Sequence, residues 1–222
     1  MRQPILLSWS GGKDSCMTLA ELQVNGGYQI AALLSTVTEG YERVSMHGVR
    51  RALLEQQAAA VGLPLRVVSI PQDATNDVYQ SRMEEAFSAY RREGLTTVAF
   101  GDLFLADIRH YREEWLARQG MHALFPIWKR DTLELARAFV DSGYEGVVAC
   151  IDARVLGRSF AGRRFDRSFL ADLPETVDPC GENGEFHTFV SGGPIFRHVV
   201  RVHLGEVVRR GSWYFQDLVP AV

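Results

Sequence analysis

The sequence predicts an α/β protein: a mainly parallel sheet covered by helices on both faces, followed by a smaller C-terminal α+β lobe. Three observations carry that prediction. Short apolar runs alternate with helix-period segments along residues 1–151. Those runs are apolar throughout rather than alternating with polar residues, as expected for strands buried on both faces. After residue 151 the rhythm changes to an arginine-rich stretch, a short helix and strand-like runs without helices between them. The expected organisation is one sheet domain at 1–151 and one lobe at 152–222.

Ile5-Leu6-Leu7 reads as the first strand, and residues 16–24 have helical spacing that Asn25-Gly26-Gly27 stops. Residues 30–34 read as the second strand, and 47–61, rich in Leu, Glu, Gln and Ala, as a helix ended by Gly62 and Pro64. A β-branched run at 65–70 and an amphipathic helix at 76–92, closed by Gly94, repeat the pattern. A strand at 97–100, a helix at 107–118 and a short strand at 123–125 follow. Asp131 caps a helix at 132–140, with Glu134 at the capping-box position. Val147-Val148-Ala149-Cys150-Ile151 completes the series. In the lobe, a helix at 167–171 and an irregular stretch at 174–184 precede strand-like runs at 187–190, 195–204 and 207–215, with Gly205 between the last two.

Composition narrows the function classes. The 222 residues are 46% hydrophobic and 23% charged, enough for a core without metal or disulfide support. A formal charge of −3 argues against a globally basic nucleic-acid footprint. Mean hydropathy is −0.08, and no apolar run approaches the ~20 residues of a membrane span. The first residues lack the long apolar region of a signal peptide, so the expected setting is cytoplasmic. Cys16, Cys150 and Cys180 form no CxxC pair and read as buried thiols; a zinc site of cysteines alone is excluded. Of 24 basic residues only Lys13 and Lys129 are lysines, a bias of genomic type that makes a lysine in the first loop more noticeable.

That loop is Ser10-Gly11-Gly12-Lys13-Asp14-Ser15. Gly11 and Gly12 allow a tight turn and close approach to a ligand, and N–H groups at the start of the next helix favour an anion. Ser10 and Ser15 add hydroxyls and Lys13 a positive charge. Asp14 would repel phosphate, so it either caps the helix or contacts Mg²⁺ held by the phosphates. The spacing is neither a Walker A motif nor a dinucleotide fingerprint. On residue types alone, a structural turn and an anion site both stand, with the place after the first strand favouring the ligand.

The hexapeptide matches the SGGxDS signature of the PP-loop ATP pyrophosphatases. Ser45-Met46-His47-Gly48-Val49, Gly101-Asp102-Leu103, Asp107-Ile108-Arg109 and the run from Asp178 through Glu182-Asn183-Gly184-Glu185-Phe186-His187 to Phe189 narrow the likeness. Together they resemble the diphthine–ammonia ligase family, a branch of the adenine nucleotide alpha hydrolase-like proteins, along nearly the whole chain. The resemblance implies a HUP-type sheet followed by a substrate lobe. It also implies a reaction in which ATP activates a carboxylate as an acyl-adenylate and ammonia displaces AMP. Implied partners are ATP, Mg²⁺, ammonia and a carboxylate acceptor, diphthine on elongation factor 2 where the source makes it. A homodimer is one option for assembly.

Under that resemblance, Glu182, Glu185 and His187 are candidates for acid–base work, and Asn183 for substrate contact; a solvated polar turn is the alternative. Asp102, beside Gly101 at a strand's carboxyl end, is placed for catalysis, or it caps the next helix. Arg109 reads as a phosphate contact or a solvated helix face. Arg43 and His47 face nucleotide or substrate, unless His47 caps its helix. Ser35 sets its backbone against adenine. Two rival readings remain: an RNA-modifying PP-loop enzyme using the arginines at 154, 158, 163, 164 and 167, and a nucleotide-binding regulator without turnover. Widely spaced cysteines disfavour sulfur transfer, and the absence of an N-terminal nucleophilic cysteine points to free ammonia or a separate donor protein.

Overall fold

The structure is a computed structural model that describes residues 2–44 and 47–221, so Met1, Ser45, Met46 and Val222 lie outside the described residues. Among the described residues the first sheet has six strands. Strand β1 (Gln3–Ser8) lies between β2 (Tyr28–Thr38) and β5 (Thr97–Ala99), and β6 (His122–Leu124) borders β5. On β2, β4 (Leu65–Ile70) pairs in parallel and the short β3 (Arg43–Val44) antiparallel. The chain therefore winds outward from β1 in one direction through β2 and β4, and in the other through β5 and β6. A doubly wound sheet of this kind opens a crevice beyond the carboxyl ends of the strands where the winding reverses, here β1 and β5.

Side-chain alternation builds three layers. Ile5, Leu7 and Leu33 face helices α1 (Lys13–Asn25) and α2 (Arg51–Val61), whose Leu19, Leu53 and Leu54 are buried with them. Leu6, Ala32 and Val98 face the opposite way, toward Phe87 of α3 (Asn76–Arg92) and Leu116 of α4 (Ala106–Arg118). Because both faces are covered, neither strand shows polar alternation, which is the pattern the sequence displays.

The second sheet corrects one expectation. The apolar run after residue 145 does not extend the parallel sheet: β7 (Glu145–Asp152) pairs antiparallel with β8 (Phe186–Gly192) and β10 (Trp213–Pro220). The four-stranded order is β8-β7-β10-β9, with β9 (Val202–Arg210) at the edge. The first sheet thus ends at Leu124 and the second starts at Glu145, whereas the change of rhythm in the sequence falls near 152. Gly205 is likewise not a break. It sits inside β9 opposite a register shift in β10, where Gln216 donates to its carbonyl, and a glycine in a strand marks such a bulge. The expected strand at 195–204 begins only at Val202, and the turn falls at Gly211.

Helices α5 (Thr132–Asp141) and α6 (Arg167–Asp172) lie on the way. Asp131 caps α5, its carboxylate accepting from the Glu134 amide at 2.8 Å, as the capping pattern predicts. The two sheets share one apolar core, in which Phe139, Phe169, Phe186 and Phe189 join the residues under α1. Among the described residues no helix is long and apolar enough to cross a membrane.

Candidate active site

The loop after β1 is held from two sides. Gly11 has φ +76°, and a Cβ there would lie 2.3 Å from Gln57 Oε1, so only glycine fits. Gln57 is fully buried; its amide donates to the Gly11 and Val190 carbonyls at 2.9 and 2.6 Å and accepts from the Trp9 indole at 3.1 Å. From the second sheet, the Val190 amide donates to the Gly11 carbonyl at 2.9 Å and Thr188 Oγ1 accepts from the Lys13 amide at 3.0 Å. Strand β8 is thereby locked onto the start of α1.

Gly12 is the N-cap of α1 and has no side chain to cap it; Thr188 takes the Lys13 amide and the Gly12 carbonyl the Cys16 amide, so the Asp14 and Ser15 N–H groups between them are the ones placed for a ligand. Ser10 and Ser15 stiffen the turn: Ser10 Oγ accepts from the Gly12 amide, and Ser15 Oγ donates to the Gly12 carbonyl. Lys13 is buried. Its ammonium donates to both Asp14 carboxylate oxygens at 2.8 Å and to the Cys180 carbonyl. Burial, the largest single influence, would depress the ammonium, but Asp14, Cys180 and Glu182 together outweigh it and raise Lys13. Burial pushes the Asp14 carboxyl up against the pull of Lys13.

Two adjoining cavities open at this point. The smaller, about 240 Å³, is polar and collects Lys13, Asp14, Asp102, Arg112, Glu182 and His187 around the head of α1. The larger, about 410 Å³, is walled by Tyr79, Phe87, Phe100, Tyr111 and Trp115. Ser35 lies in the larger one, its hydroxyl donating to the Trp9 carbonyl at 2.5 Å. Gly101 brings the end of β5 against α1: a Cβ there would be 3.1 Å from the Asp14 carbonyl carbon. Asp102 pairs with Arg112 at 3.1 Å and is pushed up by burial, while its second carboxylate oxygen is buried without a partner. The His47 and His187 rings lie against each other at a tilt of 31° with centroids 4.3 Å apart, and burial drives both down, His187 to about 4.

Four sequence-predicted residues lie elsewhere. Arg109 is clamped between Phe125 and Trp128 at 4.9 and 4.8 Å and pairs with Glu113; it lines neither cavity. Arg112, one helical turn on, lines both. Arg43 is tied to Asp217 and the Gly48 carbonyl. Glu185 and Asn183 turn inward: Glu185 Oε1 accepts from the Asp178 amide and from Asn183 Nδ2, each at 3.0 Å, which shapes the loop rather than facing the cavity. Glu182 reaches the cavity instead, fixed by the Leu103 amide at 2.8 Å. In the motif containing His47, Ser45 and Met46 lie outside the described residues.

Sequence reasoning missed Arg112 and Gln57. Each interrupts an apolar stripe of a helix: Arg112 falls among Ile108, Tyr111 and Trp115 on the cavity wall, and Gln57 among Leu53, Leu54 and Val61 in the core. A polar residue on such a stripe is the signal that finds them.

Comparison with known proteins decides the family. The model of the diphthamide synthase N-terminal domain matches residues 1–123, and that of the diphthamide synthase C-terminal domain matches 131–219. The chain belongs to the diphthamide synthase family. Relatives within reach of this diphthamide synthase family member are named diphthine–ammonia ligase. The protein of Danio rerio is 26% identical over 90% of this chain and 86% of its own, and that of Homo sapiens 25% identical over 90% and 82%. The Schizosaccharomyces pombe protein is 26% identical over 91% of this chain, which spans only 36% of that longer protein. A U34-tRNA thiolase of Methanococcus maripaludis with its [4Fe-4S] cluster overlaps 62% of this chain and 57% of its own, at 13% identity and TM-score 0.39, too slight a likeness to carry an argument.

Burial and the Asp14 and Asp102 charges raise the Glu182 carboxyl from the ordinary 4.5 to about 7, against the Leu103 amide and Lys13. A carboxyl raised in the fold binds its proton more tightly there, so its stabilising effect is complete below about 4.5 and is lost as pH rises through about 7. Glu182→Gln keeps an oxygen for Leu103 and removes the charge. It should leave urea stability unchanged at pH 4.5 and raise it at pH 8, by roughly 1–2 kcal/mol after allowing for solvent screening. A difference equal at both pH values contradicts this account.

Proposed function

We propose that this protein is an ATP-dependent ligase that joins ammonia to a carboxylate, with the diphthine side chain of elongation factor 2 as acceptor and the cytoplasm as setting. The observation that carries the reading is the meeting of an aromatic cavity with a polar one at an uncapped helix start. Adenosine suits the first, by stacking and apolar burial. The triphosphate suits the second, where α1 N–H groups, Lys13 and Arg112 meet its charge.

The donor set fits Mg²⁺ in one manner. Among the described residues no group of three His, Cys, Asp or Glu side chains is placed to hold a metal. Asp14 and Asp102 would therefore hold it jointly with phosphate oxygens, the usual mode for this ion, and the unpartnered Asp102 oxygen is suited to that. When bound, the ion supplies neutralisation of the departing pyrophosphate.

In the first half-reaction an acceptor carboxylate oxygen bonds to the α-phosphorus, and the bond to the β-phosphate oxygen breaks, its electron pair leaving with pyrophosphate. In the second, ammonia nitrogen bonds to the acyl carbon, the carbon–oxygen bond to AMP breaks, and nitrogen loses a proton. Glu182 is the base that best fits this last step: it faces the polar cavity, and a carboxyl near 7 accepts a proton at neutral pH better than an ordinary one. Glu185 is assigned to loop shape.

The rival RNA-modifying reading, sulfur transfer included, loses support from two observations. Burial raises the Cys150 and Cys180 thiols to about 12, which keeps them protonated and weakly nucleophilic. Three of the arginines are spent on carboxylates, Arg154 on Asp152, Arg163 on Asp172 and Arg167 on Asp141. The test is product analysis with Mg-ATP, ammonium and diphthine-bearing elongation factor 2. AMP and pyrophosphate appearing only with all three supports the proposal. ADP as product, or ATP left intact by a protein that binds it, counts against it.

A further inference from the structure

The two cavities impose a condition on any nucleotide that spans them. With adenosine in the aromatic cavity and pyrophosphate in the polar one, the α-phosphorus, bonded to both, lies where they join. Ser8, Ser10, His47, Arg112 and His187 line both cavities. The serines are uncharged, and burial keeps both imidazoles neutral at pH 7. Lys13, deeper in the polar cavity, already directs its three N–H bonds to Asp14 and the Cys180 carbonyl. Among the described residues at the junction, Arg112 is the permanent cation.

Its surroundings hold it ready. The guanidinium stacks over Phe100 at 4.3 Å and pairs with a single Asp102 oxygen at 3.1 Å, so most of its five N–H donors remain for a ligand. Phe100 and Asp102 follow β5, at the winding reversal, and Arg112 comes from α4; the contact joins the two walls of the crevice.

We infer that Arg112 binds the α-phosphate of the nucleotide and is a catalytic residue of the adenylation and of the transfer that follows. The inference rests on the ligase reading for the reaction but not for the nucleotide. As the acceptor oxygen bonds to the α-phosphorus and pyrophosphate departs, the non-bridging oxygens keep their charge in a crowded transition state, which a planar fork of donors meets in bidentate fashion. When ammonia then displaces AMP, the same oxygens belong to the leaving group, and the same contact stabilises its departure. The reacting atoms are those of ATP, acceptor and ammonia; Arg112 forms no bond and moves no proton.

The experiment compares calorimetric binding of AMP with that of adenosine, in wild type, Arg112→Ala and Arg112→Lys. Wild type should bind AMP at least ~10-fold more tightly than adenosine, the gain expected of a bidentate guanidinium–phosphate contact. Arg112→Ala should lose that preference, so that AMP and adenosine bind this variant equally, and Arg112→Lys, which keeps charge and stem but not the fork, should lose part of it. Carboxylate-dependent pyrophosphate–ATP exchange should fall by at least ~100-fold in Arg112→Ala, the scale of a lost transition-state donor. A preference for AMP unchanged in both variants overturns the inference, as does undiminished exchange. Should Arg112→Ala fail to fold, Arg112→Lys decides on the same two readings. Wild type that prefers AMP through Arg112 but exchanges no pyrophosphate sinks the ligase reading, and with it the catalytic half of this assignment, while the binding half is upheld.

Discussion

Asp14→Asn is expected to lower kcat/KM for ATP by at least ~10³-fold, about 4 kcal/mol of transition-state stabilisation, and to reverse the metal dependence of nucleotide binding. Asp14 stands where phosphates are proposed to bind, at the head of α1 and in contact with Lys13. A carboxylate there repels a naked triphosphate and attracts one that carries Mg²⁺. Removing its charge while keeping an oxygen for Lys13 should therefore tighten binding of ATP in chelator and weaken binding of Mg-ATP. Titration of both nucleotide forms against both proteins checks this. Equal losses for both forms would mean that Asp14 only holds Lys13 in place; a variant without cooperative unfolding would assign it to the fold.

Gly11→Ala is expected to be strongly destabilising. The φ of +76° costs an alanine roughly 1–2 kcal/mol by itself. The larger part comes from Gln57, whose oxygen lies 2.3 Å from where the methyl would go. Moving that amide strands the buried Trp9 indole and takes a donor from the Val190 carbonyl, at ~1–3 kcal/mol for each group left unpaired, while the Gly11 carbonyl keeps the Val190 amide. A loss of about 3–5 kcal/mol in urea unfolding should result, with partial relaxation absorbing the rest. In a Gln57→Gly background, which removes the obstructing amide, the further cost of Gly11→Ala should shrink to the backbone part and a small shift of Leu54, whose Cδ2 lies 2.9 Å from the methyl position. A loss under about 1 kcal/mol in the otherwise native chain would contradict the clamp.

Much of this architecture was legible because local signals agreed. The strand at 65–70 and the helix at 76–92 have in the structure the limits their periodicity gives them, since Gly62, Pro64 and Gly94 punctuate them. Strand β7 was misplaced for a physical reason. A run such as Val147-Val148-Ala149-Cys150-Ile151 is covered on both faces in either kind of sheet, and apolarity says nothing of strand direction. Among site residues, the loop at 10–15 and Asp102 meet around one cavity because both follow strands that end at the winding reversal. The motif around Glu182 and Glu185 could not reveal which carboxylate faces the cavity, because that depends on the turn at Gly181 and Gly184, both at positive φ. Arg109 and Arg112 differ by three residues on one helix, and only packing separates the aromatic clamp from the cavity wall.

The central claim is that an acceptor carboxylate attacks the α-phosphorus of ATP. It is tested most directly by phosphorus NMR of the products formed from Mg-ATP, ammonium and an acceptor whose carboxylate carries ¹⁸O. The account predicts AMP bearing one ¹⁸O on its phosphate, shifted upfield from unlabelled AMP, alongside unlabelled pyrophosphate. AMP without label would mean that water, not the carboxylate, opens ATP, and ADP with inorganic phosphate would place the attack at the γ-phosphorus; either result contradicts the ligase chemistry proposed for this site.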